Sequence, residues 1–470
     1  MLFVSNITTF AQAPILWDSL CCGTAERRID CVYGVDTLNS LFGIGDFTYI
    51  GPINSWGIAK YNNQWDSIPG GIGLSQFGNC PNTMQYGDMA WYKNKLYIGD
   101  AEKFHNKQAT GCLGIWDGNN WSTLPGQPFL TQSSDGYQTR DIRTLNVIED
   151  TLYIGGFFDS VGTQKINCVV KFDGTNFHSL NFYSPPVLTN IIYSIAKYKN
   201  EIYIGGNLTD STNAQIVKNL FRIFRYNGTK WYSVGNGVRG SNAQVNSMVV
   251  YKGWLYVAGA FNKLDGNAGN NIMKWDGNNW ASIPNGIEGT DGVVRKLLVH
   301  DNKLYVFGSF SNAGDIPASC IAVYDGSQWC DLGGQTYGVI KSGTFFKDTL
   351  YVSGIFWSIG DQNITYVAKR LAGDYHDTCG SIIPTDVSVR ELNNEISFKI
   401  YPNPTTSIIN IVDENNQLQN ATIQIQNYLG QSVFSSSFTS QIDLRSLSAG
   451  MYFLTIVDKN SKKTVKIVKE

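Results

Sequence analysis

An aromatic residue followed closely by glycine, inside a short apolar run, returns seven times along this chain. Phe42, Tyr97, Tyr153, Tyr203, Tyr256, Tyr305 and Tyr351 mark copies spaced roughly 46 to 56 residues apart. Around each marker the unit reads as four strands. An apolar strand and a polar turn come first, then a strand of the type LYIGG, a long loop of small residues, a strand of the type VVKFDG and a last strand of the type WSTL. A period near 50 with four short strands per unit predicts a β-propeller blade. The expected fold is all-β, a seven-bladed β-propeller over residues 14–376.

The turns have local causes. In Trp275 to Trp280, WDGNNW, Asp276 bonds its own backbone, Gly277 accepts positive φ, and the flanking tryptophans pack across the strand pair. The same turn is expected at Asp117-Gly118, Asp173-Gly174, Asn227-Gly228 and Asp325-Gly326. The paired glycines Gly155-Gly156 and Gly205-Gly206 end the second strand where neighbouring blades crowd or the backbone kinks. Gly99, Gly259, Gly308 and Gly354 keep one of the two.

A blade ring must close, because an open one leaves unpaired strand edges. Trp17-Asp18-Ser19-Leu20 matches the fourth-strand pattern Trp65-Asp66-Ser67-Ile68 with no first three strands before it, so it is expected to complete the seventh blade. Tyr375 to Thr378 is the alternative fourth strand. Ahead of this, residues 1–13 end in Ala11-Gln12-Ala13, a small-x-small pattern like a signal-peptidase site but without a basic n-region. They are read either as the tail of a truncated export signal or as an ordinary first segment.

Aromatics at 13%, charged residues at 16% and 48 glycines in 470 residues favour short twisted strands over long amphipathic helices. A net charge of −2 gives no concentrated basic surface for nucleic acid or anionic membrane. No apolar run is long enough to span a bilayer. The nine cysteines show no paired CxxC spacing, so oxidised pairs are expected rather than zinc, with Cys320 and Cys330 bracketing one hairpin and Cys80 and Cys112 flanking the second repeat. Cys168, in the apolar run INCVVKF, is read as a small buried hydrophobe.

Residues 377–396 break the repeat and read as a linker. Residues 397–470 alternate apolar and polar positions over short strands (TIQIQNY, SVFSSSF, MYFLTIV), the pattern of a small Ig-like β-sandwich. The ordered set KIYPNPTTSIINI, ATIQIQNYLGQSVF, SLSAGMYFLTI and KTVKIVKE is similar to the type A C-terminal sorting domain of the type IX secretion system. That resemblance implies contact with the type IX machinery and delivery of the cargo to the outer-membrane surface of a Gram-negative bacterium, or release outside it. The double glycine, the third-strand aromatic and the fourth-strand tryptophan resemble the kelch repeat and the galactose-oxidase-type propellers. The spacing from Tyr324 to Trp329 is shorter than the usual kelch spacing.

Catalytic machinery is not expected. His105, His178, His300 and His376 fall at unrelated repeat positions, which argues against a copper site, a zinc cluster or a Ser-His-Asp triad, and no cofactor is assigned. Gly235-Asn236-Gly237-Val238-Arg239-Gly240 matches GxGxxG, but no helix pattern follows, so it is read as a turn between blades. Acids in the loop after each LYIGG-type strand share one face of a propeller: Asp159, Asp210, Asp265, Asp315 and Asp361, with Asp46 and Asp100, are candidate calcium or cation ligands. Lysines interspersed among them favour solvated turn acids. The expected function is non-enzymatic binding or adhesion to a glycan or protein at the cell surface. The alternative is a secreted glycosidase or polysaccharide lyase with acids around the channel.

Overall fold

A computed structural model of the chain describes residues 17–20, 27–73, 87–104, 109–124, 129–130, 141–182, 190–208, 222–288, 292–332, 334–360, 362–371, 398–413, 418, 421–427, 432–458 and 461–470. The described residues hold strands and two single 3-10 turns, with no α-helix among them. The chain divides into two compact units, Met1–Ile382 and Ile383–Glu470. Residues 1–13 and the linker 377–396, with Tyr375 to Thr378, lie outside the described residues.

The first unit is built from antiparallel sheets in which consecutive strands pair in order, a β-propeller-like arrangement. Asp141–Ile148, Thr151–Phe157, Val169–Phe172 and Phe177–Ser179 form one such sheet. All seven marker aromatics sit on the second strand of a sheet. The first strands touch in succession: Ile29–Val35, Met89–Tyr92, Asp141–Ile148, Ile191–Tyr198, Gln244–Tyr251, Val293–His300 and Thr336–Phe346, the last against Ile29–Val35 again. Trp17–Ser19 pairs with Val367–Arg370 as the fourth strand of the sheet that holds Tyr351. Trp17 is buried there, with the Arg370 guanidinium 5.3 Å from its ring.

The repeat residues tie each sheet internally and to the next. Asp276 Oδ1 accepts from the Asn278 and Asn279 amides at 2.6 Å each, Gly277 has φ +105°, and the Trp275 and Trp280 rings lie 5.0 Å apart. The fourth-strand tryptophan then reaches the preceding sheet: Trp121, Trp231 and Trp329 indoles donate to the carbonyls of Pro69, Leu180 and Pro284 at 2.8, 2.8 and 3.0 Å. Tyr198 and Tyr251 hydroxyls donate forward, to Gly253 and Asn302 carbonyls in the next sheet's first turn. In these repeats the turn and the contacts to the neighbouring sheets come from residues visible in sequence.

The second unit has two sheets around a core that includes Ile409, Ile423, Ile442, Leu454 and Ile467. One sheet joins Phe398–Tyr401, Ile408–Asp413 and Gln441–Asp443. The other joins Ser432–Ser437, Thr422–Asn427, Gly450–Asp458 and Ser461–Lys469.

Candidate functional site

The glycines that close the second strands turn out to shape a site. A Cβ on Gly156, Gly206, Gly259, Gly308 or Gly354 would lie 1.8 to 2.1 Å from a carbonyl oxygen of the first strand of its own sheet, and on Gly45 2.3 Å from the carbonyl of Arg28, just before that strand. At those six places the first strand carries one extra residue, a β-bulge, and only glycine opposite lets the bulged backbone come so close. Crowding by the neighbouring sheet applies to the other glycine of the pair: a Cβ on Gly155 or Gly205 would meet Ile192 or Val245 of the next sheet at 2.8 or 2.5 Å. The bulged residues are Asp30, Arg143, Tyr193, Asn246, Arg295 and Lys341. A bulge re-aims its side chain. All six line one cavity of about 110 Å³, which Asp88 and Lys296 also line.

The cavity wall is charged and mostly paired. Asp30, with its side chain 1% exposed, accepts from Lys341 Nζ at 2.6 Å and Arg28 Nε at 3.0 Å. Burial pushes its carboxyl up against the opposing pull of those two cations, and burial pulls the Lys341 ammonium down. Lys296 Nζ lies 3.7 Å from Asp88 Oδ1, and that carboxylate is the main reason its ammonium is held above the ordinary value. Arg143 pairs with Asp141. Arg295 differs: its Nε is buried without a hydrogen-bond partner, and it forms no ion pair among the described residues. Cys31, beside Ser342 Oγ at 3.6 Å, has its thiol pushed up to about 12 by burial, which removes it as a nucleophile at neutral pH.

Behind the wall sits a carboxyl pair. Asp100 Oδ1 accepts from the Ile142 amide at 2.8 Å, while Asp100 Oδ2 and Asp141 Oδ1 are buried with no donor from another group. Burial raises both, and the Asp100 charge adds to the rise at Asp141.

The acids singled out from sequence stay apart. Asp159 is half-buried and accepts from the Ser160 hydroxyl at 3.0 Å; Asp265 is exposed in the 3-10 turn Lys263–Asp265; Asp315 is exposed and accepts from the Asn285 amide at 2.5 Å. Asp46 lies 3.7 Å from Arg27. Asp210 and Asp361 lie outside the described residues. Asp100 is a correction, a buried group that accepts from the Ile142 amide rather than a solvated turn acid. Among the described residues no three His, Cys, Asp or Glu side chains group as a metal site.

His178 bonds Asp173 at 2.7 Å on an outer strand, and His300, at the end of a first strand, stacks on Phe345 with ring centroids 3.6 Å apart. His105 and His376 lie outside the described residues. Residues 235–240 form a turn between two sheets with no helix after it. Cys31, Cys168 and Cys320 are buried thiols outside any disulfide, so the hairpin pairing suggested by Cys320 and Cys330 is not made. Cys168 and Cys320 instead take left-handed φ, +58° and +66°, at the start of third strands.

The residues that sequence reasoning missed had a usable signal. Arg143, Tyr193, Asn246, Arg295 and Lys341 each stand ten positions before the marker aromatics Tyr153, Tyr203, Tyr256, Tyr305 and Tyr351. Gly87 takes that position before Tyr97, and Asp30 stands twelve before Phe42 because the turn there includes the 3-10 segment Asp36–Leu38. Since five of the six bulges lie within the first three residues of their strands, the cavity is at the end of the sheets where most second strands finish. The exposed aromatics Tyr49, Trp56, Tyr337 and Trp357 belong to that same end.

Residues 399–470 match the family described as "Secretion system C-terminal sorting domain". They form a type IX sorting domain, so the chain is directed through the secretion machinery to the cell surface or the extracellular space. No curated protein matches the chain. Among solved structures, the extracellular domain of a hybrid two-component system from B. thetaiotaomicron is similar at 12% identity and a TM-score of 0.46, covering 97% of this chain and 58% of that one. The extracellular domain of a one-component system from B. thetaiotaomicron is similar at 11% identity and 0.44, over 98% and 59%. A GH74 enzyme from Niastella koreensis is similar at 11% and 0.41, over 97% and 74%. The chain thus spans less than two thirds of the first two. No helix of the described residues is long and apolar enough to cross a membrane.

Proposed function

We propose that this is an exported, non-enzymatic binding or adhesion protein, displayed at or released from the outer-membrane surface of a Gram-negative bacterium, that holds a glycan or protein ligand at the cavity end of a seven-bladed propeller. The reading takes residues 14–376 as a kelch-like ring closed by Trp17–Ser19, and residues 397–470 as an Ig-like sandwich removed or retained after export. The bulge ring is the observation that carries it. The glycine opposite the bulge repeats in six sheets, where the residue aimed is Asp30, Arg143, Tyr193, Asn246, Arg295 or Lys341, and in the sheet of Tyr97 the equivalent places hold Asp100 and Gly87. A purely architectural position would repeat its occupant along with its glycine; six residue types at seven positions around one cavity suit recognition of an asymmetric ligand. Export to an oxidising destination would suit disulfide pairing of Cys112 and Cys330, which this reading includes.

A secreted carbohydrate-active enzyme is the second reading, and the raised Asp30 carboxyl in the cavity wall favours it as a candidate acid. One experiment separates the two: the full chain is screened on a glycan array, and every glycan retained is then incubated with it and analysed for shortened or unsaturated products. Retention without products is expected. Product formation at a catalytic rate sinks the binding reading, and retention of no glycan confines it to a protein ligand.

A further inference from the structure

The charge balance of the cavity points to the class of ligand. Arg143, Arg295, Lys296 and Lys341 face Asp30 and Asp88 across it, four cations against two carboxylates. Both carboxylates are matched inside the wall, Asp30 by Lys341 and Asp88 by Lys296, and Arg143 is matched by Asp141 behind it. Arg295 is the cation left over, with a buried Nε and no ion pair among the described residues. Its Nε has no acceptor in the protein, and an oxyanion entering the cavity supplies one while pairing with the guanidinium charge.

The strand that carries Lys341 extends the site outward. Thr336–Phe346 and Thr349–Ile359 are eleven residues each, and Tyr337 stands four residues before Lys341, about 13 Å along the strand. Trp357 is the extra residue of a second bulge facing Tyr337 and Gly338. Tyr337 is 57% and Trp357 60% exposed, so two ring faces lie in water just beyond the charged cavity.

We propose that the cavity binds the carboxylate or sulfate group of an acidic sugar, with Arg295 as its main ligand, and that Tyr337 and Trp357 carry the neighbouring sugar rings. The inference rests on the reading of this end as the binding face and deepens it by naming the ligand class. An acidic peptide offers the same carboxylate, but a pair of open ring faces outside a cavity with room for roughly seven to eleven waters suits flat sugar rings better.

The test is calorimetric titration of the full chain with trigalacturonate, a chondroitin sulfate tetrasaccharide, neutral trigalactose and a hexaglutamate peptide, repeated for Arg295→Gln, Arg295→Lys and Trp357→Ala. At least one acidic sugar is expected to bind, more weakly as salt rises. Arg295→Gln is expected to lose roughly tenfold or more in affinity, with part of the loss restored in Arg295→Lys. Because no ion pair is broken, the melting temperature of unliganded Arg295→Gln stays near that of the parent, which separates a lost ligand from a lost fold. Trp357→Ala weakens the sugar without changing the melting temperature. Trigalactose binding as tightly as the acidic sugars, with Arg295→Gln neutral, overturns the acidic-group assignment and leaves glycan binding standing. Tighter binding of hexaglutamate overturns the sugar. No response to either acidic sugar overturns the inference, and the glycan array shows whether the broader reading falls with it.

Discussion

Replacing Gly308 by alanine puts a Cβ 2.1 Å from the Val293 carbonyl oxygen and 3.1 Å from Val294 Cα. Ordinary contact begins more than an ångström further out. The obstructing oxygen cannot swing aside as a side chain would, since Val293 and Val294 are held in register with Ser309 and Gly308. Relief must come from the bulge itself. Overpacking against backbone costs about 1–3 kcal/mol, and one weakened ladder hydrogen bond adds about 1, so a loss near 3 kcal/mol is expected. With an unfolding entropy of about 2.1 cal/mol/K per residue over the 382 residues of the first unit, roughly 0.8 kcal/mol/K, the unit should melt about 4 °C lower. Gly228→Ala is the control. Its φ is +98° but a Cβ there meets nothing within 4 Å, so only the left-handed penalty of about 1 kcal/mol applies, near 1 °C. Differential scanning calorimetry of the two full-length variants makes the comparison, and titration with the acidic sugars follows. Gly308→Ala melting with or above Gly228→Ala would refute the close-approach argument. A lower melting point with unchanged affinity would show that the bulge does not aim Arg295.

Three further outcomes follow from the charged groups. A carboxyl whose pKa is higher folded than unfolded binds its proton more tightly in the native state, so stability is greatest near and below the ordinary value of 3.8 and declines as pH rises through the raised one. Asp100→Asn is therefore expected to flatten that decline in melting temperature above pH 4, and an unchanged slope would remove the Asp100–Asp141 pair as its source. Lys341→Gln leaves the 1%-exposed Asp30 carboxylate short of a partner and should lower stability by about 3 kcal/mol in urea at pH 7. The double variant with Asp30→Asn should recover most of it, and full additivity would mean the pair is uncoupled. Calcium should leave the melting temperature unchanged, because Asp159 and Asp315 are held by local bonds and Asp265 is exposed; a rise with calcium would restore those acids as a cation site.

The architecture was legible wherever its cause is local. Asp276 and Gly277 specify a turn by their own chemistry, and the tryptophan after it declares a ring contact within the same hairpin, so each repeat announces itself. The cavity was not legible in the same way. Its residues share a position but no chemistry, and what places them is an insertion of one residue whose only trace is a glycine on the adjoining strand. The acids of the second-to-third-strand loops attracted notice because they share a type, and identical chemistry proved a poorer guide than identical place. Asp100 shows the limit most sharply. Nothing in LYIGDAEKF marks it as buried, because the Ile142 amide that bonds it arrives from the next sheet.

The pairing of Trp17–Ser19 with Val367–Arg370 has a consequence for biogenesis. Trp17 and Arg370 face one another across 353 positions of chain. During synthesis at about 5–20 residues per second, the strand that will receive residue 17 emerges some 18 to 71 seconds after it. Every other sheet of the unit can zip from neighbouring segments as it appears. The last one must wait, and closing so long a segment costs about 4 kcal/mol more than closing a short hairpin. Until then Val367–Arg370 offers an open edge to chaperones, proteases and other copies, so folding quality is decided at this one late pairing.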